Sequence, residues 1–176
     1  MTQDMIDIVG PIIPSLRRYA RALLRDAVAA DDLVQDTLER AIGRWHQRRE
    51  DASTRAWLLT ILHNLAINTM RRNNRRGVAV AIDAVEESTM ATLPSQEAGL
   101  AQRDVLRAVA QLPEDQRTLL LLIALEGVSY AEAATITGVP VGTVMSRLSR
   151  GRERLRRLLA EPGETAAARP MLRSVK

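Results

Sequence analysis

Three features of this sequence predict an all-α fold of two small helical domains joined by a flexible linker. Apolar residues recur at helical spacing over most of the 176 residues, and no alternating strand pattern lasts long enough to build a sheet. Between about 73 and 96 the periodicity lapses around Gly77, Pro94 and several serines and threonines. The first domain is therefore expected over 1–72, the linker over 73–96 and the second domain over 97–160. The remaining 161–176, with Pro162, Gly163 and Pro170, reads as a disordered tail.

In chain order, a first helix is expected from Ile12 or Pro14 to Leu24. A second, from Ala30 to Arg44, buries Val34, Leu38, Ala41, Ile42 and Trp45, and its early Asp31 and Asp32 suit the positive end of the helix dipole. After a polar loop from His46 to Ser53, Thr54 is expected to cap a long helix running through Arg72. Leu58, Ile61, Leu62 and Leu65 share one face of that helix. Thr60, Asn64, Asn68 and Arg71 form a narrow polar stripe on another, interrupted by Ile67. Asparagines inside a helix cost propensity, so these two are either simply solvated or serve a function. The alternating Val78, Val80 and Ile82 have no partner strand. Four further helices are expected, over 97–111, 114–125, 129–137 and 140–159.

The last two of these have the pattern of a helix-turn-helix. Ser129 and Glu132 fit a capping box, Gly138 suits the left-handed residue that ends a helix, and Pro140 suits the first turn of the next. In the final helix Val144, Leu148, Gly151 and Leu155 form one stripe. The opposite face carries Gly142, Thr143, Ser146, Ser149, Arg150 and Glu153, with Arg147 and Arg154 on one flank and Met145 and Arg152 on the other. Short polar side chains beside arginines can read base edges and hold phosphates. A solvated surface helix would share the basic face, but not the preceding capped helix and glycine turn.

Composition narrows the function classes. The net charge is only +4, but it is unevenly spread. Arg147 to Arg157 and Arg71 to Arg76 are cationic, whereas Asp26, Asp31, Asp32, Asp36 and Glu39 gather acid near the second helix, which suits nucleic acid plus a basic protein partner. The absence of cysteine excludes disulfides and thiolate metal sites within this chain. No apolar run reaches the roughly 20 residues of a membrane span, and the N-terminus does not read as a signal peptide, so a cytoplasmic protein without membrane insertion is expected. With two histidines, no glycine-rich phosphate loop and no coherent acid cluster, neither catalysis nor a cofactor or metal is expected.

Taken together, Asp32-Leu33-Val34-Gln35-Asp36-Thr37-Leu38-Glu39-Arg40-Ala41, then Arg55-Ala56-Trp57-Leu58 with Ile61, Asn64, Ala66 and Arg71-Arg72, then Leu112 to Arg117 and Gly127 to Arg147, resemble alternative bacterial sigma factors of the extracytoplasmic-function type. The resemblance covers about Tyr19 to Leu159. It implies a region 2 whose Asp32, Gln35, Asp36 and Glu39 dock on the β′ clamp helices of core RNA polymerase. It further implies that Asn64 contacts a flipped base of the melted −10 element, walled by the His46 to Ser53 loop. Asn68, Arg71, Arg72, Arg75 and Arg76 would hold the strand's backbone. Thr143, Ser146, Arg147 and Arg150 of region 4 would contact the −35 element, and Leu119 to Leu125 would supply core and part of the surface for the β flap. Departures from the family pattern fall at Leu59, His63 and Met145. The same resemblance implies control by an anti-sigma factor, and the linker permits a compact arrangement unlike the extended polymerase-bound one. The alternative is a stand-alone helix-turn-helix regulator, which would need a symmetric dimer surface and would leave the acidic helix and Asn64 idle.

Overall fold

The structure is a computed structural model, and it describes residues 3–48, 53–75 and 104–160. All regular elements among them are helical. Helix α1 (Gln3–Val9) leads through a 3₁₀ turn (Gly10–Ile12) into α2 (Ile13–Leu24). The sequence reading missed α1. Pro11 and Pro14 mark not irregular chain but the first turns of new helical segments, where a missing N–H costs nothing, and Met5 and Val9 bury to anchor the extra helix. Arg25 ends α2 in the left-handed region, at φ 62°, and its N–H donates to the Arg21 carbonyl.

Helix α3 (Ala27–Gly43) starts three residues before the expected Ala30, because the Asp26 carboxylate caps it by accepting from the Ala29 N–H at 3.0 Å. Its buried residues are Ala30, Leu33, Val34, Thr37 and Ala41. Ile42, expected in the core, is exposed, since it lies one step of about 100° beyond Ala41. Thr37 takes a core position because its hydroxyl donates to the Leu33 carbonyl at 2.7 Å. Helix α4 (Thr54–Arg75) is capped by Ser53, whose hydroxyl accepts from the Ala56 N–H, rather than by Thr54. Thr54 is its first helical residue and accepts from Arg48 Nη1. Trp45 and Trp57 meet edge to face at 6.0 Å between ring centroids, both packed against the core.

The C-terminal half comprises α5 (104–110), α6 (Glu114–Ala124), α7 (Tyr130–Thr137) and α8 (Val141–Ala160). The Leu112-Pro113 junction separates α5 from α6, and the Pro113 carbonyl accepts from the N–H groups of Gln116 and Arg117. Gly151 lets α8 approach α6 closely: a Cβ there would meet Gln116 Cβ at 3.3 Å. Helices α2, α3 and α4 pack on one another, as do α6, α7 and α8, and α2 also meets α6 while α4 meets α7. A single apolar cluster therefore runs from Leu16, Tyr19 and Leu62 in the first bundle to Leu122, Ile136 and Leu148 in the second. The expected linker (73–96), the 97–103 start of the fifth helix and the tail (161–176) lie outside the described residues or reach only their edge.

Candidate nucleic-acid interface

The second bundle presents α8 through local backbone chemistry. Ser129 accepts from the Glu132 N–H while Glu132 accepts from the Ser129 N–H at 2.8 Å, completing the capping box. The bonds that the Ser129 N–H and hydroxyl donate to the Glu132 carboxylate hold its pKa below its ordinary range. Gly138 closes α7 at φ 68°, where its N–H donates to the Ala134 carbonyl. Pro140 stands just before α8 rather than within its first turn, and its carbonyl accepts from Thr143 and Val144. Val144, Leu148 and Gly151 then face the core, with Leu155 partly buried against it.

The opposite side of α8 is open. Ser146, Ser149 and Arg150 are exposed and Thr143 is half-buried. Arg150 folds back on its own helix, donating from Nε to the Ser146 carbonyl at 3.2 Å. Arg147 differs from its neighbours: it pairs with Asp115 of α6 at 3.0 Å in a partly exposed ion pair, so its guanidinium is already engaged within the bundle's own surface. A shallow groove beside the open face is lined by Tyr130, Met145, Ser149, Arg152 and Arg156.

On α4 the polar stripe is narrower. Asn64, Asn68, Arg71 and Arg72 are exposed, while Leu58, Leu59, Leu62, His63, Leu65 and Ala66 are buried. His63 is held neutral: burial pushes its pKa down to about 4, helped by the nearby positive charge of Arg71. The Arg75 side chain and all of Arg76, together with 49–52 of the expected pocket loop, lie outside the described residues. On α3, Asp32, Gln35, Asp36 and Glu39 are all exposed on one side, with Gln35 Nε2 donating to Glu39 Oε1 at 3.0 Å. Asp31, by contrast, turns toward α2 and pairs with Arg17 and Arg21.

One polar cluster was not legible in advance. The Glu126 side chain, wholly buried between the bundles, accepts from Arg18 Nε at 3.0 Å, Arg55 Nη2 at 2.6 Å and the Ser15 hydroxyl. Its partners lie 71 to 111 residues away, so no spacing rule connects them.

Comparison with known proteins agrees with the helical two-bundle fold. The Sigma2 domain of PhyR matches residues 9–63, and Sigma-70, region 4 matches residues 102–155. The chain is 39% identical over 163 residues to the ECF RNA polymerase sigma factor EcfG of Rhodopseudomonas palustris, covering 93% of this chain and 89% of that protein. It is 35% identical over 154 residues to the ECF RNA polymerase sigma factor SigL of Mycobacterium tuberculosis, covering 85% of each. Among solved structures, the sigma factor RpoE in complex with the anti-sigma factor NepR from Bartonella quintana superposes with a TM-score of 0.76 at 34% identity. That match covers 92% of this chain and all of the other.

Proposed function

This chain belongs to the extracytoplasmic-function RNA polymerase sigma factors, and from that premise we propose which of its surfaces meets each partner. Residues 1–72 act as region 2, 97–160 as region 4 and 73–96 as the tether between them. The acidic face Asp32, Gln35, Asp36 and Glu39 docks on the β′ clamp helices of core RNA polymerase, where charge complementarity sets register and encounter rate more than affinity. Region 4 docks on the β flap and lays α8 in the major groove of the −35 element, Thr143, Ser146, Arg147 and Arg150 making the contacts. Arg147 exchanges Asp115 for DNA in doing so.

Asn64 captures an unstacked base of the −10 element, an amide being able to pair with a base edge once it leaves the stack. Asn68, Arg71, Arg72, Arg75 and Arg76 hold the adjoining backbone. Bond making belongs to the polymerase, and this chain works in the cytoplasm as its specificity subunit. An anti-sigma factor restrains it, as a NepR protein is bound to the RpoE relative.

The observation carrying this reading is that one chain bears both an open asparagine stripe on α4 and an open basic reading face on α8. A stand-alone regulator uses only the second. Run-off transcription with core RNA polymerase, on the promoter of this protein's own gene, tests it. Specific initiation that depends on the protein is expected. Tight duplex binding by the protein alone, without initiation, would favour the stand-alone regulator.

A further inference from the structure

The promoter reading sets a distance that the described arrangement does not reach. Elements centred near −35 and −10 lie about 25 base pairs apart, or about 85 Å of duplex at about 3.4 Å per pair. Helices of 22 and 20 residues measure about 33 and 30 Å, so α4 and α8 laid end to end fall short of that span. In this structure α4 instead packs directly against α7, the first helix of the helix-turn-helix. The arrangement is therefore a closed one, in which the two readers cannot sit on their elements together.

We infer that Glu126 is the latch of this closed state, and that Ser15, Arg18 and Arg55 form a ready-made carboxylate cradle on region 2 that receives it. Glu126 sits in the turn between α6 and α7, its side chain fully buried. Arg18 donates from Nε and Nη2 to the two carboxylate oxygens at 3.0 and 3.1 Å, and Arg55 Nη2 bonds both the carboxylate and the Glu126 carbonyl, the latter at 2.7 Å. Ser15 donates to the same carboxylate and accepts from Arg55, so the cradle is braced before region 4 arrives. The cradle draws on two helices of region 2, α2 and α4, while the carboxylate comes from region 4 alone.

Against the apolar contacts that hold the bundles together, two polar groups of the seam favour release. The Tyr19 hydroxyl, in a side chain with no exposure, has no hydrogen-bond partner among the described residues, nor has Arg117 Nε beside it. Opening gives these groups water and lets Glu126, Arg18 and Arg55 hydrate. The closed state thus combines apolar contact across the seam with charge-assisted bonds whose gain is largely offset by desolvation, so loss of the bond set shifts the balance toward opening. Closure also places Arg55, in the first turn of α4, against a region 4 carboxylate.

The inference rests on the promoter reading for the meaning of "closed", but its test is independent of transcription. The full chain contains no cysteine, so Val28→Cys on α3 and Met145→Cys on α8, both at exposed positions, give a unique pair for nitroxide labels and pulsed distance measurement. In the otherwise unaltered chain, one narrow short-distance population is expected. Glu126→Gln, and separately Arg18→Gln, should raise the long-distance population about tenfold or more. The double variant should open less than the product of the two, because the residues act through one bond set. Unchanged distributions in both variants, or a broad distribution in the parent, would overturn the latch. Arg18→Gln leaves region 4 intact and reads the latch even if Glu126→Gln disturbs its turn. Opening as stated, with no initiation in run-off assays, would retain the latch and remove the promoter reading.

Discussion

Helices α4 and α8 are both long and both carry an exposed polar face, but they are buried differently. Helix α4 is contacted by α2, α3 and α7, and its buried residues include consecutive positions such as Leu58-Leu59 and Leu62-His63. Only a narrow stripe centred on Asn64 and Asn68 is left open. Helix α8 buries Val144, Leu148 and Gly151 along one side, leaving a wide arc of serines and arginines. A wide basic arc fits a duplex groove, where phosphates dominate affinity. A narrow amide stripe fits a single extruded strand, where one base edge and its backbone are all there is to hold. On the proposed function, the width of the buried arc is what assigns the two helices to two forms of DNA.

The crowded side of α4 offers the largest effect. His63 is neutral in the fold, with a pKa near 4, but titrates near 6.5 when unfolded. Its contribution to stability is therefore complete above about pH 6.5 and is lost as pH falls toward 4, a change of about 3 kcal/mol. Urea denaturation at pH 7 and pH 4.5 should show a smaller acid loss for His63→Gln than for the parent; equal losses would mean that the imidazole is not the group responsible. Next in size is Arg150→Ala on α8. It should weaken binding to a −35 duplex by about 1–3 kcal/mol and lower the salt slope by about one ion, both read from titrations at several salt concentrations.

Asn64→Ala should do the opposite. Affinity for the −35 duplex is expected to stay within about twofold, while initiation falls about tenfold, the equivalent of one hydrogen bond of about 1.4 kcal/mol. A matched loss in duplex binding would erase the division between the helices. Smallest is Ser129→Ala, which removes one half of the capping box and should cost about 1 kcal/mol in a thermal melt, with α8 contacts to DNA otherwise preserved.

What could be read in advance follows the range of the interactions. The α7–α8 unit was legible because the Ser129 to Glu132 box, the Gly138 turn and the Val144 stripe are local patterns. The asparagine stripe of α4 was legible for the same reason, as an exception inside a clear apolar period. Two misses were also local: Asp26 and Ser53 carry the cap chemistry of α3 and α4, but each stands ahead of the start expected from the apolar period. Helix α1 was hidden by Pro11 and Pro14, which mark starts as readily as breaks. The Glu126 cradle and the Arg147–Asp115 pair have no sequence signature, because they form only when separate helices pack together.

The central claim is that α8 reads duplex and α4 captures a strand, and holoenzyme binding to two templates tests it most directly. One carries only a −35 duplex; the other adds an exposed single-stranded −10 non-template segment. The second should bind more tightly than the first. Arg150→Ala should weaken both equally, and Asn64→Ala should remove only the gain supplied by the single strand. An Asn64→Ala variant that keeps the full gain, or that loses duplex affinity as well, would contradict the account.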